Sequence, residues 1–435
     1  MDLSHLKKLS TVRSGKNIKF LTPAVYSGGW CPMRVATNIA EDLTGLSSLM
    51  VCMPECATHS RSMTSRPEGE QGEKRWLYTL DANEVIFGCR QGVMDALRSM
   101  DAEGAEYILM VATCVTDLIG EDFEAIINEL QPQIKAKLTY VALGQFKNFG
   151  TTFGTAKTAA ALGRLMEPPK EKQYRLVNVL FLDAWRTKGV PMKLPLIVQE
   201  LEKQGITVRR LTSEATLRDF LDGPDASANL VVSSYMEPLA RDMEERFDVP
   251  CFDLSRAFHV EDIDAAYEQL SKLLQIDLSD SFAQWRKKAL ELENRAKREL
   301  SGKKFVLIPE VDVPIALTEY LCDFGMEPIL LHLDDLLPAD IQAAKKLKKQ
   351  GIDPYVCRIM NDDHDLPLIR DDLTPDVTFG YLRNPVPGLA TCEEMGDFFG
   401  ITGYERTVGI LSRIFEVLET GKTKEVFDLY GPAPI

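Results

Sequence analysis

The sequence predicts an α/β protein of three doubly wound domains, each built on a mostly parallel sheet. Three observations carry this. Short apolar runs alternate with amphipathic stretches, as strand–helix–strand units require. The cycle restarts at intervals of roughly 130 to 150 residues, the size of one such domain. The chain has 435 residues, more than a single core usually holds.

The first domain spans residues 1–168. Its strand-like runs fall at 51–53, 84–87, 107–111 and 138–143, and helical periodicity covers 33–43, 91–100, 121–130 and 154–166. Glu167-Pro168-Pro169-Lys170 is a charged, proline-bearing break that ends it. In the second domain, 169–300, strands are expected at 177–182, 206–211, 229–233 and 249–252, with helices at 193–204, 238–247 and 262–274. Gly205 stands where a helix C-cap glycine belongs. Residues 280–300 read as a long linking helix whose charges form a solvated face. The third domain, 301–435, restarts at Gly302. It carries strands at 304–308, 328–332, 355–359 and 377–381 and helices at 315–324, 338–350 and 404–419. A cleft between three such domains is a natural ligand site.

Charge and composition narrow the function. Net charge is −15, with 65 acidic against 50 basic residues. A nucleic-acid surface needs clustered cations, so no nucleic-acid partner is expected. No run of about 18 apolar residues exists, so no membrane span is expected either. Residues 1–20 lack the apolar core of a signal peptide, which points to the cytoplasm. Nine cysteines in such a chain predict free thiols or metal ligands, not a disulfide framework.

Five of the nine cysteines lie within the first 114 residues. They sit in four segments: Ser27-Gly28-Gly29-Trp30-Cys31-Pro32-Met33, Cys52-Met53-Pro54-Glu55-Cys56-Ala57-Thr58-His59, Phe87-Gly88-Cys89-Arg90, and Ala112-Thr113-Cys114-Val115. Cys56, Cys89 and Cys114 each follow an apolar run and precede a polar or helical segment. Adjacent parallel strands are about 4.8 Å apart and end on one edge, so thiols there converge. Thiolates suit iron–sulfur or zinc sites, but the spacings lack paired zinc knuckles. On spacing alone, a buried structural role for all five stays equally open. No G-x-G-x-x-G or phosphate loop stands at a strand–helix junction, and no G-x-S-x-G elbow occurs. The five histidines form no spaced pair, and only His59 lies near a candidate site.

Taken in order, four motifs carry a resemblance: Gly28-Gly29-Trp30-Cys31-Pro32, Glu55-Cys56-Ala57-Thr58-His59-Ser60-Arg61, Val85-Ile86-Phe87-Gly88, and Thr113-Cys114-Val115-Thr116-Asp117-Leu118-Ile119-Gly120-Glu121-Asp122. Gln145-Phe146-Lys147-Asn148-Phe149-Gly150 continues the series. The set resembles nitrogenase component 1, the family of molybdenum–iron protein α and β subunits, their assembly scaffolds and the nitrogenase-like tetrapyrrole reductases. The resemblance implies three Rossmann-like domains. It also implies an iron–sulfur cluster held by Cys31, Cys56 and Cys114, of the 4Fe–4S or the eight-iron P-cluster (8Fe–7S) type, and shared with a second homologous subunit in a hetero- or homo-oligomer, such as a heterotetramer. Cys89 and Cys52 are further candidates for metal binding. Cys89 stands where the family commonly has glycine, and a core role is the preferred reading for it.

Two departures stand out. Where cofactor-bearing α subunits carry a cofactor cysteine, this chain reads Val232-Ser233-Ser234. Their cofactor histidine has no counterpart in Arg383-Asn384-Pro385-Val386-Pro387-Gly388. The resemblance therefore implies an electron-transfer subunit of a nitrogenase-like reductase, supplied by a separate ATP-hydrolysing iron protein. The alternative is a non-catalytic scaffold for metallocofactor or tetrapyrrole assembly. No catalytic residue is singled out.

Overall fold

The computed structural model describes residues 1–23, 31–61, 68–144, 151–182, 193–381, 386–392 and 400–421. The glycine-rich turn before Cys31, residues 145–150 and residues 383–385 lie outside these, as does the side chain of His59.

Each cycle builds one sheet. In the first, Ser47–Cys52 is buried at every position, as a parallel strand covered on both faces must be. Arg75–Thr79 pairs on one side of it, and Tyr107–Ala112 followed by Lys137–Ala142 on the other, all parallel. The strand order is second-first-third-fourth. The winding therefore reverses between Ser47–Cys52 and Tyr107–Ala112, which makes that junction the topological switch point. The second sheet repeats the pattern with Thr207–Leu211, Gln173–Leu180, Ala226–Val231 and Cys251–Asp253, all parallel. Its switch point lies between Gln173–Leu180 and Ala226–Val231. The third sheet runs Tyr355–Cys357, Glu327–His332, Lys304–Leu307, Val377–Phe379, Thr391–Cys392, again parallel, with its reversal between Lys304–Leu307 and Val377–Phe379. The expected fold class, three Rossmann-like doubly wound sheets, is the one observed.

Four local differences from the sequence reading have physical causes. The start of the chain joins the last sheet: Lys7–Lys8 pairs antiparallel with Tyr355–Cys357. A two-residue strand carries no periodicity that would reveal this. Residues 84–87, read as a strand, belong to the helix Ala82–Phe87. The Asp81 carboxylate accepts from the backbone N–H groups of Asn83 and Glu84, and Glu84 accepts from the N–H of Asp81. This capping box outweighs the β-branched run. The helix expected at 121–130 is Phe123–Leu130, capped by Asp122, which accepts from the N–H of Ala125, and a further short helix, Cys114–Ile119, precedes it and ends at left-handed Gly120. Finally, the linking helix Ala283–Glu299 is not solvated all round. Trp285, Ala289, Leu292 and Ala296 are buried, and the helix packs against Tyr404–Thr420.

The helix Tyr404–Thr420 ties the second and third domains together. Most of its residues are buried, and its side chains share one apolar cluster with both sheets. The Arg406 guanidinium donates to the carbonyls of Ser255 at 2.7 Å, Ala257 at 2.9 Å and Leu254 at 3.2 Å, and lies 4.0 Å from the Phe258 ring. No helix among the described residues is long and apolar enough to cross a membrane.

Candidate metal centre

The two strands that flank the first switch point each run out into a cysteine-bearing helix. Ser47–Cys52 leads through Met53 into Pro54–Arg61, with Cys56 in its first turn. Tyr107–Ala112 leads through Thr113 into Cys114–Ile119, with Cys114 as its first residue. The Thr113 hydroxyl donates to the Val51 carbonyl at 2.9 Å and pins one exit to the other. Cys31 is the N-cap of the helix Pro32–Asp42, whose Pro32 sits at the first position, where a missing N–H costs nothing. That helix packs on Thr151–Gly163, where Gly154 lies so close that an added Cβ would be 3.1 Å from the Pro32 carbonyl.

All three thiols are half-buried. Burial pushes the Cys31 and Cys56 thiols up from their ordinary values. Charge on Cys114 and Cys56 raises Cys31 further, and charge on Cys114 raises Cys56. Each of the three thiols is thus within electrostatic reach of another. Backbone N–H groups of Met33 and Arg34 act in the opposite direction on Cys31, favouring the thiolate. Among the described residues no group of three His, Cys, Asp or Glu side chains is placed to hold a single metal ion. A donor set made of thiols alone is of the kind that iron–sulfur clusters use.

The other two candidates differ. Cys52 is the buried last residue of its strand, and burial first, then Cys56, raises its thiol to about 12. Cys89, also buried, caps the helix Arg90–Ala102. Its backbone N–H donates to Glu121 Oε2 at 2.8 Å, and its sulfur lies 3.5 Å from the same oxygen. Burial and then Glu121 raise it to about 12. A thiol held protonated by a carboxylate packs as a core residue.

Sequence reasoning missed the rim of this site. The helices Ala82–Phe87 and Cys114–Ile119 touch, and together they expose Ile86 (72%), Phe87 (83%), Leu118 (63%) and Ile119 (39%). Large apolar residues exposed side by side mark an interaction surface. The signal was present in Val85-Ile86-Phe87, but reading the run as a buried strand hid it. Sequence reasoning also passed over the charged residues Arg256, Asp312 and Arg406 between the second and third domains, which no motif marks.

Comparison with known proteins speaks to the family and the fold. Residues 31–419 match the profile of the nitrogenase component 1 type oxidoreductases. A nitrogenase iron-molybdenum cofactor biosynthesis protein NifE of Mesorhizobium japonicum is 24% identical over 76% of this chain and 69% of its own length. A NifE of Sinorhizobium fredii is 27% identical over 80% of this chain and 72% of its own. A nitrogenase vanadium-iron protein beta chain of Trichormus variabilis is 22% identical over 62% of each. The solved structure of nitrogenase Cp1 at pH 6.5 superposes with a TM-score of 0.66 at 15% identity, covering 94% of this chain and 96% of that one, which speaks to the fold. The chain belongs to the nitrogenase component 1 type oxidoreductase family.

Proposed function

We propose, with that family membership as the premise, that this chain is an iron–sulfur electron-transfer subunit of a nitrogenase-like reductase. It takes electrons from an ATP-hydrolysing iron protein and passes them toward a substrate or cofactor in the interdomain cleft. Cys31, Cys56 and Cys114 hold the cluster. The observation that carries this reading is the grouping of three half-buried thiols at one switch point beside an exposed apolar rim.

When bound, the cluster supplies one-electron transfer. The residues supply the rest. Each thiol loses its proton to solvent on ligation, so uptake weakens as pH falls. Helix N-termini at Cys31, Cys56 and Cys114 favour the resulting thiolates. Three thiolates leave a four-iron cluster short of ligands, so a second homologous subunit completes the site. Ile86, Phe87, Leu118 and Ile119 offer the iron protein an apolar docking face close to the sulfurs.

One observation favours a second reading. The cited relatives with the greater identity are named for cofactor biosynthesis, which supports a scaffold subunit that holds a precursor without turning it over. Oxygen-free purification followed by iron and sulfide analysis and electron paramagnetic resonance tests both readings, and protein free of iron and sulfide overturns both. ATP-dependent reduction of the cluster by the iron protein then separates them: the reductase reading requires it, and its absence leaves the scaffold.

A further inference from the structure

The second and third domains enclose a cavity of about 410 Å³ along their seam. The second domain contributes Arg256, Phe258 and His259 at the entry to the helix Val260–Leu274, and Asp262 in its first turn. The third contributes one face of each of two helices, Pro314–Cys322 and Pro338–Lys349. Lining positions 316, 319, 320 and 323 follow helical spacing, as do 339, 342, 343 and 346. Among the described residues no lining side chain comes from the first domain, which carries the thiols. The volume suits a small molecule, and such sites concentrate at domain interfaces.

The floor of the cavity is apolar. Phe258 and Tyr320, both almost wholly buried, stack with ring centroids 5.4 Å apart, and His259 stands edge-on to Tyr320 at 4.6 Å. The Arg406 guanidinium lies against Phe258 at 4.0 Å. Ala316, Ala339 and Ala343 line the walls, and their small side chains leave the space open. The rim is charged, and its cations are already held. Arg256 lies 2.6 Å from Asp340 and 3.5 Å from both Glu237 and Asp253. His259 lies 3.0 Å from Asp323 and 3.4 Å from Glu293. Lys346 pairs with Glu319. Asp262 is left over: its exposed carboxylate makes no hydrogen bond or close ion pair among the described residues.

Lys346 shows what this rim attracts. Its side chain is 62% exposed, yet its ammonium is held by Glu319, with Asp323 and then Asp262 adding to the pull. Carboxylates from two domains thus act on one cation at the mouth. An anion entering there meets Asp262 while every neighbouring cation is engaged elsewhere. An organic cation meets a free carboxylate at the rim and apolar room behind it for the rest of the molecule. We propose that this cavity binds a small organic monocation, an amine or amidine carried on an apolar or aromatic body, with Asp262 as the carboxylate that meets its charge. The body lies on the Phe258 and Tyr320 floor between the alanine walls. This site goes beyond the electron-transfer reading and does not rest on it.

The test titrates the full chain with three probes of similar shape, followed by saturation-transfer nuclear magnetic resonance and calorimetry. Phenethylamine is a cation at neutral pH, phenethyl alcohol is neutral, and hydrocinnamate is an anion. Phenethylamine is expected to bind at least about tenfold more tightly than hydrocinnamate, with the alcohol between them, because a charged cleft concentrates the opposite ion by that order. Asp262→Asn should weaken the amine by about threefold and leave the alcohol unchanged. Lys346→Met removes a competing cation and should tighten the amine by about twofold. Both side chains are exposed, so neither change endangers folding. Ala343→Phe fills the cavity and should abolish binding of all three probes. An amine that shows no saturation transfer, binds no better than hydrocinnamate, ignores Asp262→Asn, or binds Ala343→Phe as well as the natural chain overturns the proposal. None of these measurements needs iron, so failure here is distinct from failure of the cluster reading.

Discussion

The first switch point and the paired switch points of the second and third sheets use one topological device for opposite ends. At the first, the strand exits carry thiols, the neighbouring helices expose apolar residues, and the site opens outward. At the other two, the exits carry hydroxyls and carboxylates, and arginines pair with carboxylates and backbone carbonyls around them. The parallel sheet supplies only a row of strand ends beside helix N-termini. The few residues after each strand decide whether that row presents thiols beside an apolar rim or hydroxyls and carboxylates beside arginines.

The sharpest way to break this contrast is to remove a thiol. Cys114→Ala should lose at least about half of the bound iron and sulfide, because losing a ligand opens the cluster to hydrolysis. Full iron content in that variant would end the assignment. Next comes the rim. Phe87→Asp should slow electron uptake from the iron protein by about tenfold or more, since buried aromatic anchors dominate docking. Its melting should hardly change, because Phe87 is exposed; unchanged uptake would place docking elsewhere.

A third variant probes the inner site as architecture. Arg406→Met removes bonds to three backbone carbonyls and leaves Asp312 facing less positive charge. A cost of about 3 kcal/mol is expected from breaking such a buried arrangement, read as a lower melting temperature with iron content unaffected. Loss of iron as well would show that the two regions are not separate. The smallest effect is a pH dependence. His259 bonds Asp323 at 3.0 Å and lies 3.4 Å from Glu293, joining the second domain to the third. Burial opposes its charge, but these two carboxylates overcome it and raise its pKa. A raised histidine stabilises most below its ordinary value near 6.5, and the benefit fades as pH rises through the folded value. Melting of His259→Gln should therefore fall short of the natural chain at about pH 6 and converge with it toward about pH 8. A gap that widens with pH would contradict the pairing.

Much of this was legible in the residues. Tyr107 to Ala112 is an apolar run that burial on both faces demands, and the strand expected at 177–182 lies within the buried end of Gln173–Leu180 and just beyond it. Gly205 marked a helix end through the left-handed conformation it adopts, at a φ of 75°. The failures were local contests between signals. Val85, Ile86 and Phe87 have strand propensity, yet the reciprocal bonds of Asp81 and Glu84 turn them into helix and put Ile86 and Phe87 in solvent. Asp312, Arg256 and Arg406 fit no motif, since charged residues far apart in sequence look like ordinary surface until folding brings them together.

By itself the sequence determined the class of fold, the positions of the cysteines at strand ends and the absence of a thiol after the Ala226–Val231 strand, because periodicity and residue type are local properties. Only the tertiary structure decided that the first residues of the chain edge the last sheet and that Ser234 meets Asp312. Those pairings depend on strand order and on how three sheets pack, and neither is written in any single stretch of chain.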